Sequence, residues 1–500
     1  MSFSPPAANA LRLCRLSLLL TLQLLTGPSS NATAGTARKA AERPNIVFIL
    51  ADDLGYGDLG CYGQTVIQTP ELDRMAAEGL RFTDFYCGST VCAPSRSCLM
   101  TGQHTGHTYM RGNGPVWLRP DPLDRTVAAC LQEAGYQTCM IGKSSTSGQV
   151  PPQLDQPNRK GFDHFFGVLS HQEAHHYFPP KMYRNGSELL FAANRLHSGD
   201  TYCHDLYLQE AREWIADPAR QQQPFFLFYS SHIPHASLYA PEEWVARYRG
   251  KVGPERVVRQ GHYRGSTEPN AEFAGMVGRL DWEVGQLLAA LRQAGLDDKT
   301  VVMFASDNGA QSAGGHSEND FNSSGPLRGE KRDMYEGGIR TPFLVRWPGT
   351  VKPGVSAHVG AFWDFLPTAC ELAGVTPPAH IDGLSFAPTL TGQGQQQQHD
   401  FLYWEFFEKG GRRALRMGDY KAVQNDVFRS PTGPVEIYHL PDDLAETQDL
   451  AATHPELVEK ARQLFLTART KSPLPQFNCA GRAAGKKRNR KPRADQSKAN

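Results

Sequence analysis

Asp52 and Asp53 stand side by side at the end of NIVFILADD, residues 45–53, and Asp307 and Asn308 stand together in TVVMFASDNGA, residues 300–310. The four side chains offer an all-oxygen donor set, which hard divalent cations such as calcium and magnesium require. Adjacent carboxylates repel unless a cation or a hydrogen-bonding role relieves them. Taken alone, the Asp pair also suits an N-cap or an Asx turn, which Asp favours where a strand gives way to a helix. Arg96, Lys143, Lys331 and His235 are the cationic candidates. A divalent metal combined with the planar fork of Arg and the point charge of Lys suits a tetrahedral oxyanion, sulfate or phosphate. Cys92 lies in VCAPSRS, between Cys87 and Cys98. The spacing fits no zinc site, and no neighbouring histidine is at hand to pair with its thiolate. On chemistry alone, Cys92 reads as half of a disulfide.

The runs that carry these residues are the elements that must position them. NIVFILADD, GYQTCMIGKSS (135–145), PFFLFYSSHIPH (224–235) and TVVMFASDNGA are continuous apolar stretches, and each ends in polar chemistry. Such runs suit strands buried on both faces, as in a parallel sheet between helices. Helical patterns separate them at 71–80, 126–135, 201–217 and 273–295. Strands alternating with helices predict a wound α/β fold, in which ligands gather at the carboxyl ends of the strands. The segment DHFFGVLSHQEAHHYFPPKMYRNG, 163–186, reads as a surface loop packed by its own aromatic rings, with the lining of a sugar-binding mouth as the alternative. Beyond the glutamine-rich TLTGQGQQQQHD (389–400), the runs FLYWEFF, RALRMGDYKAVQ and PVEIYHL predict short antiparallel strands. With the amphipathic helix at 454–468 they suggest a small C-terminal α+β domain, 386–475, after a larger domain at 43–385.

A net charge of +1 gives no argument for nucleic acid as a partner. The tail, 476–500, contains KKRNRKPR and almost nothing apolar, so it reads as basic and disordered. At the other end, Arg12 and Arg15 precede LSLLLTLQLLTG and then small residues, the pattern of a cleaved export signal over 1–34. That apolar run is short for a bilayer, and no second candidate span follows, so no stable membrane insertion is expected. Ten cysteines fit an oxidising compartment, periplasmic, extracellular or lysosomal. With Cys14 in the signal and Cys92 set aside, the others could form up to four bridges.

CAPSRSCLMTG, residues 92–102, resembles the type I sulfatase signature, C-x-P-S-R followed by L-x-T-G. RPNIVFILADDLGYGDLGCYG, SDNG and YEGGIRTP resemble further blocks of that family, and the likeness runs over roughly residues 43–470. The resemblance implies an alkaline-phosphatase-like fold, a wound mixed sheet between helices with a smaller C-terminal α+β domain. It implies that Cys92 is converted to formylglycine by a formylglycine-generating enzyme, and that the hydrated aldehyde is the nucleophile toward a sulfate ester of a phenol or a carbohydrate. By the same likeness Asp52, Asp53, Asp307 and Asn308, with residue 92, would hold one calcium. Asp307 would also act as base toward the diol and Arg96 would steady it. Lys143 and Lys331 would bind sulfate, and His235 would protonate the leaving oxygen, with His232 as its rival.

One block departs from the family pattern. GKSSTSG keeps Lys143 but has Ser145 where many members carry a diol-contacting histidine. Two other readings stand beside the sulfatase: a phosphomonoester or phosphonate ester hydrolase, which shares the fold and the metal-assisted attack on a tetrahedral centre, and, from the altered GKSSTSG, a catalytically silent binder of sulfated glycans.

Overall fold

The computed structural model describes residues 43–114, 116–144 and 156–478; the expected export signal, Ser145 and the basic run at 486–493 lie outside them. Its centre is a ten-stranded mixed sheet. Across the sheet the order is Gly354–Ser356, Leu80–Phe82, Phe343–Arg346, Thr300–Ser306, Asn45–Ala51, Phe225–Ser230, Gln137–Lys143, His164–Val168, Lys181–Arg184 and Ser187–Leu190. The five strands from Thr300–Ser306 to His164–Val168 run parallel, so their carboxyl ends share one edge.

Side-chain alternation explains why the central strand is apolar from Ile46 onward. Ile46, Phe48 and Leu50 enter one core, and Val47, Ile49 and Ala51 enter the core on the other face. With both faces covered by helices, neither face has room for a polar residue. The 25-residue helix Pro269–Gln293 and the helix Cys203–Ala216 cover one face. The helices Cys92–Thr101, Val127–Glu133 and Phe365–Ala373 cover the other. The expectation of a wound α/β sheet holds.

The C-terminal run forms a separate antiparallel sheet of four strands, Leu402–Phe406, Arg412–Met417, Tyr420–Gln424 and Glu436–His439. RALRMGDYKAVQ supplies two of them, because Gly418 at φ +62° lets the chain reverse between Met417 and Tyr420. Tyr403, Leu415 and Ile437 pack on the helix Pro455–Thr467 through Ala461 and Phe465. Leu402, Trp404 and Val423 face the other way and join the core beneath the large sheet. A buried ion cluster ties the small sheet to the helix Glu336–Ile339, which leads into the strand Phe343–Arg346 of the large one. Lys421 Nζ lies 2.8 Å from Glu336 Oε1 and 3.1 Å from Glu446 Oε1, with all three side chains fully buried.

The cysteines correct one expectation. All eight among the described residues are free thiols, and seven of them are buried. They serve as small apolar core groups rather than as bridges. No helix among the described residues is long and apolar enough to cross a membrane.

Candidate active site

The shared edge of the parallel strands collects the residues singled out above. Asp52 and Asp53 follow Asn45–Ala51, Asp307 and Asn308 follow Thr300–Ser306, and Lys143 ends Gln137–Lys143. Asp53 sits at φ 67°, a left-handed turn that Asp tolerates better than most residues. Its backbone N–H donates to Asp307 Oδ1 at 3.1 Å, and Asn308 Nδ2 donates to its Oδ1 at 2.7 Å. Gly142, at φ +105°, is required beside Lys143, since a Cβ there would lie 2.1 Å from the Ser230 carbonyl oxygen.

Cys92 is the first residue of a helix buried at every position. The helix therefore points its free N–H groups and positive dipole end at the strand edge, a setting that favours an anion. One turn on, Arg96 Nε donates to Asp307 Oδ2 at 2.7 Å and Nη1 to Ser230 Oγ at 2.6 Å. Its Nη2 lies 3.4 Å from Asp52 Oδ2. Lys143 Nζ contacts Asp52, and Lys331 Nζ contacts Asp53.

These groups set one another's protonation. Burial alone would push Asp52 up, but Lys143, His235 and Arg96 outweigh it and hold the carboxyl well below its usual range. Asp53 is lowered too, by Lys331 and His235 against its burial. Asp307 goes the other way, to about 6, because burial and the Asp52 charge outweigh Arg96. Burial pushes the Cys92 thiol up, only partly offset by Lys143 and Lys331.

The donor set fits a hard cation. Asp52 Oδ1 and Asn308 Oδ1 are buried oxygens with no hydrogen-bond partner among the described residues. Buried polar atoms are rarely left unpaired. Oxygens converging from two strand ends are what an oxygen-seeking divalent ion binds.

A pocket of about 320 Å³ opens over this floor, lined by Asp53, Cys92, His171, His175, His235 and Lys331 among others. The geometry separates the two rival histidines. His235 Nε2 lies 3.5 Å from Asp53 Oδ2, while its Nδ1 is held by the Ala236 carbonyl. His232 is turned into the core, with Nε2 3.2 Å from Cys203 Sγ. Tyr177 OH donates to the carbonyls of both, at 2.9 and 2.8 Å, and so fixes the loop's register.

The sulfatase family profile matches residues 44–375, and the profile for the C-terminal part of N-sulphoglucosamine sulphohydrolase matches residues 329–467. The chain belongs to the sulfatase family. It is 34% identical to human arylsulfatase A over 476 residues, covering 85% of this chain and 88% of that one. It is 33% identical to human N-acetylgalactosamine-6-sulfatase over 411 residues, covering 77% and 72%. Among solved structures it superposes on Ps i-CgsB, crystallised with k-i-k-neocarrahexaose, with a TM-score of 0.72 and 26% identity over 85% and 93% of the two chains. The protein is thus a sulfatase, a hydrolase of sulfate esters on an alkaline-phosphatase-like fold.

Two parts of this sulfatase site differ from the sequence expectation. The segment 163–186 is not a surface loop packed only on itself. It contains the strands His164–Val168 and Lys181–Arg184, and His171, Gln172 and His175 between them line the pocket. The missed signal is HFFGV, a strand too short to stand out, whose carboxyl end also delivers polar residues to the common edge. Cys92 is not half of a disulfide, and its closest histidine is not adjacent in sequence: His171 Nδ1 is 3.7 Å from its sulfur.

Proposed function

We propose that this sulfatase works through an oxidised residue 92 and a calcium ion on sulfate esters of phenols or carbohydrates. The observation that supports the reading is the convergence of Asp52, Asp53 and Asp307, with Asn308 bonded to Asp53, beside Cys92, while Arg96, Lys143 and Lys331 pair with these carboxylates. In this reading Cys92 is converted to formylglycine, and its aldehyde hydrates to a geminal diol. One hydroxyl gives its proton to Asp307 as its oxygen attacks the ester sulfur, the S–O bond to the alcohol breaks, and the alcohol oxygen takes a proton from His235. The second hydroxyl then loses its proton, the C=O bond re-forms, and sulfate leaves with the oxygen that made the attack. Water adds to the aldehyde to restore the diol. A cysteine or serine could be sulfated but has no second hydroxyl to expel the product.

Calcium held by Asp52, Asp53, Asp307 and Asn308, beside the side chain of residue 92, would polarise a sulfate oxygen and favour the ionised diol. Lys143 and Lys331 pair with the sulfate oxygens, and Arg96 steadies the diol. Asp307 serves as the base toward the diol. His235 gives the leaving oxygen its proton from Nε2 in the imidazolium form, with Nδ1–H held by the Ala236 carbonyl and Nε2 3.5 Å from Asp53 Oδ2.

The N-terminal signal supports export, and maturation requires a formylglycine-generating enzyme. The partner in turnover is a sulfated small molecule or glycan. The test has two arms. Tryptic mass spectrometry of the peptide spanning Cys92 should show a loss of about 18 Da relative to cysteine. Turnover of 4-nitrophenyl sulfate should exceed that of 4-nitrophenyl phosphate. Preference for the phosphate would point to the ester hydrolase of the same fold, and unmodified Cys92 without turnover to a silent binder.

A further inference from the structure

We propose that His171 is a further catalytic residue of this site, one that hydrogen-bonds the nucleophilic group at position 92 through Nδ1. The inference rests on the reading of residue 92 given above.

The contact is direct. His171 Nδ1 lies 3.7 Å from Cys92 Sγ, and the ring lines the same pocket as Asp53, His235 and Lys331. The partner nitrogen, Nε2, is shielded from solvent and has no hydrogen-bond partner among the described residues. A histidine placed for packing or folding would be expected to use its buried nitrogen. Here the nitrogen that faces another group faces the nucleophile.

The ring is held by a rigid support. Val168, the end of its strand, is paired with Lys143, and Ser144 N donates to the Val168 carbonyl at 2.9 Å. Lys143 and His171 therefore leave neighbouring strands and reach residue 92 from the same edge. The turn that carries His171 is clamped by Glu173, whose Oε2 accepts from Leu169 N at 3.1 Å and from Ser170 N at 3.0 Å. Glu173 N returns a bond to Ser170 Oγ at 3.2 Å. A side chain on so fixed a turn can orient a reacting group without first being ordered.

The chemistry follows from what replaces the sulfur. A diol hydroxyl at residue 92 sits where His171 Nδ1 can accept its O–H. That bond fixes the rotation of the diol, so that the other hydroxyl, whose proton goes to Asp307, faces the ester sulfur. In the second step the same ring can hold the hydroxyl that remains on the sulfated residue while its oxygen re-forms the carbonyl. Because GKSSTSG places Ser145 where many relatives carry a histidine, His171 supplies an imidazole to the nucleophile from a different strand.

The test compares wild type with His171→Ala and His171→Asn, the amide of Asn offering an oxygen near the position of Nδ1. Each preparation is first assayed by mass spectrometry for the converted fraction at residue 92, and rates are expressed per converted molecule. His171→Ala should lower kcat/KM for 4-nitrophenyl sulfate roughly ten- to hundredfold, the worth of one hydrogen bond to a reacting group. His171→Asn should recover most of the loss. Across phenyl sulfates of differing leaving-group pKa the fall should be uniform, since the bond is made to the nucleophile. Converted His171→Ala with a rate within twofold of wild type overturns the proposal, and so does an Asn variant as slow as Ala. If the Ala variant does not fold, His171→Leu takes its place in every comparison, and the same two outcomes overturn the proposal. Failure of the underlying reading is separate, because it appears in the wild type as an unconverted Cys92.

Discussion

Arg96 Nε donates to Asp307 Oδ2 across 2.7 Å, joining the helix that starts at Cys92 to the strand end that carries Asp307 and Asn308. The same guanidinium reaches Ser230 and Asp52, so one buried side chain sets the spacing between the nucleophile and three strand ends. Cys92 and the carboxylates are thus positioned as one unit rather than by separate loops.

That unit predicts the behaviour of Asp307→Ala. The substitution removes a carboxylate from the oxygen set and the partner of Arg96. Calcium affinity should fall by about ten- to hundredfold and turnover by more. Calcium titration by calorimetry and 4-nitrophenyl sulfate assays check both, and wild-type turnover in the variant would contradict the assignment.

His235→Ala should discriminate between substrates. Loss of the proton donor harms poor leaving groups most, so the rate deficit should grow with leaving-group pKa, up to about 10²- to 10⁴-fold. A uniform deficit across a phenyl sulfate series would argue against His235 as the acid.

Lys421→Met tests the lock between the two sheets. The change leaves Glu336 and Glu446 buried without their shared cation. Breaking such a set costs about 3–5 kcal/mol. Arg340 and Arg416 still hold Glu336 low, so the cost falls mainly on Glu446, whose pKa is already pushed up by burial to about 7. Urea unfolding at neutral pH measures the loss, and a shift below about 1 kcal/mol would show that the lock is dispensable.

His104 predicts part of the acid sensitivity. Burial pushes this ring down to about 4, against the pull of Asp382, from an unfolded value near 6.5. Its contribution to stability is complete above about pH 6.5 and is lost as pH falls toward 4, because the unfolded chain takes up the proton first. His104→Gln should remove up to about 1.4 kcal/mol per pH unit from the slope across that window. Unfolding midpoints between pH 4 and 6.5 report it, and an unchanged slope would refute the role.

The central strands were legible because burial on both faces leaves an uninterrupted apolar run, as in Asn45–Ala51 and Phe225–Ser230. Their polar ends were legible for the same reason, since the chemistry begins where the apolar run stops. Leu80–Phe82 and Gly354–Ser356 were not, because three residues near a sheet edge carry no periodicity. His171 was out of reach for another reason. It is 79 residues from Cys92 in sequence, and only the pairing of His164–Val168 with Gln137–Lys143 brings them together. The choice between His232 and His235 likewise needed the turn that Tyr177 pins from a distant segment.

Cys92 retains 4% of its surface in the folded chain. An oxidising partner that must grip the CAPSRS segment finds it wound into a helix with no face exposed. For the conversion proposed above, this burial places the reaction in the interval before the chain closes, and folding ends the opportunity. On that reading, a preparation made faster than its maturation machinery can keep pace will be a mixture of converted and unconverted chains. Its specific activity records a race already run, and treating the purified protein with that machinery will not raise it.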